Sequence, residues 1–229
     1  MKILAADDLS AVLSIVGVHG RAEPLNVELP ASSTKGDLVA RTPDGIVHVE
    51  FVKDPTPNFD QRMVDYRLRL RRRDRHTALS QYVLVLRDVP VPDHYTDPGP
   101  DLHSCTWTVV HLHRLDPDAL LTSPPTTAAV AVLARGTPTQ RAAILTAAAD
   151  LITARTDSDR RTLLLGAAAT LASIVLPRAT ITTVLEEAAM PVPVRDTPLG
   201  RELYEEGVQA GMQVCRQVCR QVSIKQSCA

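Results

Sequence analysis

The strongest constraint on the fold is a pair of β-branched runs closed by a turn sequence. Asp37-Leu-Val-Ala-Arg41 and Ile46-Val-His-Val-Glu-Phe-Val52 flank Thr42-Pro-Asp-Gly45, and this pattern predicts a β-hairpin. Successive side chains on a strand alternate faces, so His48, Glu50 and Val52 share one face, with Val47, Val49, Phe51 and Lys53 on the other. A two-residue turn at Pro43-Asp44 sets Asp37 opposite Glu50, whereas a turn at Asp44-Gly45 sets it opposite Val52. Either register puts both carboxylates on one face, where they can share a hard cation such as Mg²⁺ or Mn²⁺. A three-residue loop separates them. The competing reading is two acids on a solvated sheet face.

Residues 59–75 change to the helical period. Phe59, Met63, Tyr66 and Leu70 make one stripe, with Arg62, Arg69 and Arg73 on other faces. Tyr82-Val-Leu-Val-Leu86 is a continuous apolar run of the kind found in a doubly covered central strand. Around these lie a short helix predicted over 6–17 and an edge strand over 21–30. A Pro-rich connection over 89–100 and a further strand over 104–112 follow. The order predicts an α/β domain over residues 1–122.

After Thr122-Ser-Pro-Pro125 the chain becomes rich in Ala, Leu and Thr. Three helical stripes follow: Ile144, Ala148 and Leu151; Leu164, Ala168, Leu171 and Val175; Ile181, Val184 and Leu185. Pro138 and Pro177 mark boundaries between helices. Residues 126–190 therefore read as a helical subdomain packed on the first part. One reading gives it a role in self-association, as a homodimer. Residues 191–229 read as a variable, partly helical tail.

Charge excludes whole-chain electrostatic attraction to nucleic acid, because 25 Lys+Arg against 26 Asp+Glu leave a formal net charge of -1. A charged partner must meet a local patch. The densest one is Arg67-Leu-Arg-Leu-Arg-Arg-Arg-Asp-Arg75, six arginines in nine residues, with Arg62 just upstream. Phosphate binding and a solvated helix end whose cations offset the macrodipole weigh equally for this run. One Trp, four Tyr and two Phe argue against a single-strand binder built on stacking platforms. No signal peptide or membrane span is legible, and the expected location is the cytoplasm.

The string Asp37-Leu-Val-Ala, His48-Val-Glu-Phe-Val-Lys-Asp54 and Gln61-Arg-Met-Val-Asp-Tyr-Arg-Leu-Arg-Leu70 resembles the Rpn family. These are bacterial recombination-promoting nucleases, transposase-like, with a PD-(D/E)XK restriction-endonuclease-like fold. Asp37, Glu50, Arg62, Met63 and Tyr66 match the family pattern. The helical half is similar at Arg160-Arg161, 171–176 and Val184-Leu-Glu-Glu-Ala-Ala-Met190, as is the tail Tyr204-Glu-Glu-Gly-Val-Gln-Ala-Gly211.

The resemblance implies a metal-dependent DNA endonuclease with a mixed sheet followed by helices. Asp37 and Glu50 would bind Mg²⁺ or Mn²⁺, and Lys53 would face the scissile phosphate. Arg62, Arg67, Arg69, Arg71, Arg72, Arg73 and Arg75 would hold duplex DNA. One departure stands out. The residue two after the Glu, Lys or Gln in the family, is Val52 here. Lys53 belongs to the opposite face unless a bulge re-aims it. The alternative is therefore a pseudo-nuclease that binds DNA or protein without turnover. Asp7 and Asp8 are weak candidates for the further acid that the N-terminal helix supplies in many nucleases of this fold.

His103, Cys105, Trp107, His111 and His113 share parity on the strand predicted over 104–112, but ligands at i and i+2 without a second pair match zinc spacings poorly. Cys215 and Cys219 fall in a repeated Val-Cys-Arg-Gln tail, read as repeat expansion rather than as a metal site. No Gly-rich phosphate loop is present.

Overall fold

The computed structural model describes residues 1–25, 38–96 and 104–187. Asp37, His103, Cys215, Cys219, Cys228 and the tail expected over 191–229 lie outside the described residues.

The chain is an α/β protein with a five-stranded mixed sheet followed by a helical region. Two short helices, α1 (Lys2–Asp7) and α2 (Leu9–Ser14), open it. Asp8 interrupts the single helix predicted over 6–17, because its extended backbone caps α2 and its carboxylate accepts from the Ala11 N–H. Next come β1 (Glu23–Pro24), β2 (Leu38–Thr42), β3 (Gly45–Val52), α3 (Phe59–Arg73) and β4 (Leu79–Val85).

The strand predicted over 104–112 divides into β6 (Ser104–Thr106) and β7 (Thr108–His111). Trp107 makes the break. Its backbone N–H donates to the Asp93 carbonyl and its indole N–H to the Pro92 carbonyl. β6 thereby leaves the main sheet and pairs with β5 (His94–Thr96), a strand inside the Pro-rich connection. The helical region holds α4 (Pro117–Leu121), α5 (Pro125–Ala128), α6 (Pro138–Arg155), α7 (Ser158–Ala172) and α8 (Arg178–Glu187). A capping box of Thr137 and Gln140 with Pro138 at the first turn starts α6.

The sheet order is β1-β2-β3-β4-β7. β1, β2 and β3 are antiparallel, while β3, β4 and β7 run parallel. Thr42 pairs with Gly45, so the turn is the two-residue Pro43-Asp44 form. Gly45 has φ 142, and a β-carbon there would collide with the Ala78 carbonyl, which accepts from the Ile46 N–H.

Each strand's two faces meet different layers. Ala40, Val47, Val49 and Leu84 join one large core with Leu4, Val12 and Leu13 of the N-terminal helices and Leu145, Ile152, Leu164, Leu165 and Ala168 of the helical region. The opposite face meets α3, where Val52, Val83 and Val85 pack on Phe59 and Met63, and Val39, Ile46 and Leu79 pack on Leu70. Residues 1–122 and the helices after them thus share a core. Three layers result: α3, sheet, helices.

Candidate functional site

The site lies between β3, β4 and α3. Strand alternation aims His48, Glu50 and Val52 at α3, and the parallel register sets Gln81 beside His48 and Val83 beside Glu50. The stripe of Phe59, Met63, Tyr66 and Leu70 is buried against this face, as the helical period predicts. This arrangement carries two fully buried polar side chains, His48 and Glu50, into the interior. Buried polar groups require partners.

Arg62 supplies the partner for Glu50. Its Nη2 donates to Glu50 Oε1 at 2.7 Å, with Glu50 1% and Arg62 15% exposed. The guanidinium carbon lies 5.3 Å from the Phe59 ring centroid, one turn back along α3. Glu50 Oε2 is buried without a hydrogen bond.

Gln81 supplies the partner for His48. Its amide nitrogen donates to the Met63 carbonyl at 3.0 Å and faces His48 Nδ1 at 3.2 Å. Its carbonyl oxygen accepts from Arg67 Nη1 at 3.2 Å. Accepting at Nδ1 leaves the ring proton of neutral His48 on Nε2. Burial, reinforced by the positive charge of Arg62, pushes the His48 pKa down to about 3. The ring meets Tyr66 edge-on, 5.1 Å between centroids. Cys105 is half-buried beside Gln81, and burial raises its pKa while the charge of Arg67 opposes the rise.

The sequence-assigned residues divide. Glu50 and Arg62 are brought together, as a closed ion pair. Lys53 is exposed and lies one residue past the end of β3. No bulge re-aims it within the strand, because pairing with β4 runs unbroken from Ile46–Leu79 to Val52–Val85. Val52 is buried in the apolar cluster around Phe59, Met63 and Trp107. Asp7 is committed elsewhere: it accepts two hydrogen bonds from Arg160, at 2.8 and 3.0 Å, and one from the Thr126 hydroxyl at 2.6 Å.

The arginine run divides as well. Arg67 turns to Gln81, and Arg71 donates to the Thr77 carbonyl at 2.9 Å. Arg69, Arg72, Arg73 and Arg75 are exposed at the C-terminal half of α3 and just beyond it. Leu68 lies among them, 52% exposed.

The reading of Cys105, Trp107, His111 and His113 as one strand face does not hold, since they belong to two strands and the segments beside them. His113 faces Asp88 at 3.2 Å and His111 edge-on. Among the described residues, no group of three His, Cys, Asp or Glu side chains is placed to hold a metal ion. The described donors around Glu50 amount to one carboxylate, already paired with Arg62. No described helix is long and apolar enough to cross a membrane.

Sequence reasoning missed Gln81. Its signal was weak: a single polar residue ahead of the apolar run 82–86, on the parity that faces α3. A cleft of about 610 Å³ lies apart from this site, lined by Ile3, Ala6 and Asp7 of α1 and by Asp157, Asp159, Arg160 and Leu163. Comparison of the chain with protein-family models, with curated proteins and with solved structures gives no match in any of the three.

Proposed function

We propose that this chain is a restriction-endonuclease-like protein of the Rpn type that binds duplex DNA without hydrolysing it. The carrying observation is the group of exposed arginines in the C-terminal half of α3 and just beyond it. Arg69, Arg72 and Arg75 make no hydrogen bond or ion pair with other described residues, on a chain whose formal net charge is only -1. Arginines without an internal partner are available to phosphate oxygens, which they meet in bidentate fashion. Arg62, Arg67 and Arg71 have inward partners and serve the scaffold. The catalytic half of the resemblance has less support, since Val52 carries no polar atom and Lys53 lies outside the strand.

Fluorescence anisotropy of a labelled duplex tests this reading. The wild-type chain is expected to bind at low salt. Replacing Arg69, Arg72 and Arg75 with Gln should weaken binding and flatten the salt dependence by about 2.7 in log–log slope, at about 0.9 per phosphate contact. An unchanged slope would sink it.

A second reading draws on one observation, the buried Oε2 of Glu50 that lacks a hydrogen bond. In it, Asp37 and Glu50 bind Mg²⁺ or Mn²⁺ and the chain is an active endonuclease with Lys53 at the scissile phosphate.

A further inference from the structure

The family resemblance assigns a divalent ion to Glu50, yet the side chains around that carboxylate provide a guanidinium. Arg62 Nη2 is 2.7 Å from Oε1, which leaves a single carboxylate oxygen, Oε2, uncommitted. A second cation there would face the charge of Arg62 at close range, inside a site that is 1% exposed at Glu50, where repulsion is poorly screened. Among the described residues, the neighbours of Glu50 add no second carboxylate. His48, on the same strand face, is taken up by Gln81 and Tyr66. Val52, on the other side of Glu50, closes that end with Phe59, Met63 and Val83. Mg²⁺ keeps several waters and wants further oxygen ligands, and the described side chains packed around Glu50 are the apolar cluster of Val52, Phe59, Met63 and Val83 and the guanidinium of Arg62.

We infer that Arg62 stands permanently in the place of the cation at Glu50, so that the position is a metal-independent ion pair and takes up no Mg²⁺ or Mn²⁺. The pair then does mechanically what a bound ion does elsewhere: it ties the first turn of α3 to the middle of β3. This inference is independent of DNA binding, and its test contains no DNA, so the two can fail separately.

The experiment is a Mn²⁺ titration of the full chain, with free Mn²⁺ followed by electron paramagnetic resonance, wild type beside Glu50→Gln. The expected result is equal depletion of free Mn²⁺ by both proteins. Mg²⁺ should also shift the unfolding temperature of both alike, because an ion bound only to the folded wild type would raise it by mass action. Saturable Mn²⁺ uptake by wild type that is lost in Glu50→Gln overturns the inference. Should Glu50→Gln fail to fold, the double variant Glu50→Gln/Arg62→Met removes both charges together and serves as the reference, with the same two outcomes.

Discussion

Arg62 on the first turn of α3 and Glu50 in the middle of β3 form a 2.7 Å ion pair across the helix–sheet interface. A charge left alone in such a place costs far more than the pair itself contributes. Glu50→Gln or Arg62→Met alone should therefore destabilise the chain by about 3–5 kcal/mol, whereas the double variant should recover a large part of that loss. Urea unfolding of the four proteins measures the coupling. Additive losses would show that the pair is not closed in solution.

His48 gives the fold an acid limit. Its pKa of about 3 in the folded chain lies below the value of about 6.5 expected when unfolded. The unfolded state thus binds the extra proton as pH falls below about 6.5, and stability declines toward pH 3 by about 1.4 kcal/mol per unit. Above that window His48 contributes no pH dependence. His48→Gln should flatten the decline, and unfolding curves at pH 7, 6 and 5 read the difference. Parallel profiles for both proteins would place the titrating group elsewhere.

Asp7 ties α1 to the helical region. Burial works against its carboxylate, but hydrogen bonds from Arg160 and Thr126 and the charge of Arg160 outweigh it and hold the pKa below the usual range. That stability is present above the ordinary carboxylate pKa, about 3.9, and is lost as pH falls through the lower folded value. Asp7→Asn should cost about 1.5–3 kcal/mol at neutral pH, the worth of hydrogen bonds to charged groups. The difference should shrink in acid, which chemical denaturation at two pH values detects.

Gly45 is the position at which the hairpin tolerates no side chain. With φ 142 and the Ala78 carbonyl where a β-carbon would sit, Gly45→Ala should cost at least about 1–3 kcal/mol from backbone strain alone. Alanine at Gly17, which has φ 80 but open space around it, separates strain from collision: it should cost less.

The sheet and α3 were legible because their signals are local. Period-2 runs around Thr42-Pro-Asp-Gly45 predicted β2 and β3, and the stripe from Phe59 to Leu70 predicted the buried face of α3. What the sequence did not reveal depends on contacts between distant residues. Trp107 splits one predicted strand into two because Pro92 and Asp93 capture its indole and backbone N–H groups. Asp8 breaks one predicted helix because a side-chain cap outcompetes continuation. In the site, parity put Glu50 on one strand face with His48 and Val52, and the structure shows that α3 covers that face. Parity could not show that Arg62 would close on Glu50, since the arginine's reach depends on how α3 docks. The same uncertainty covered the arginine run, whose members look alike in sequence and differ in the fold: Arg67 finds Gln81, Arg71 finds the Thr77 carbonyl, and Arg69, Arg72 and Arg75 face solvent.

The most direct test of binding without hydrolysis is one incubation of supercoiled plasmid with the purified chain at low salt and Mn²⁺, beside Glu50→Ala. Retarded but uncut plasmid, unchanged in topology, is the result expected for wild type. Nicked or linear plasmid produced by wild type and absent with Glu50→Ala would contradict it and make the chain an active nuclease.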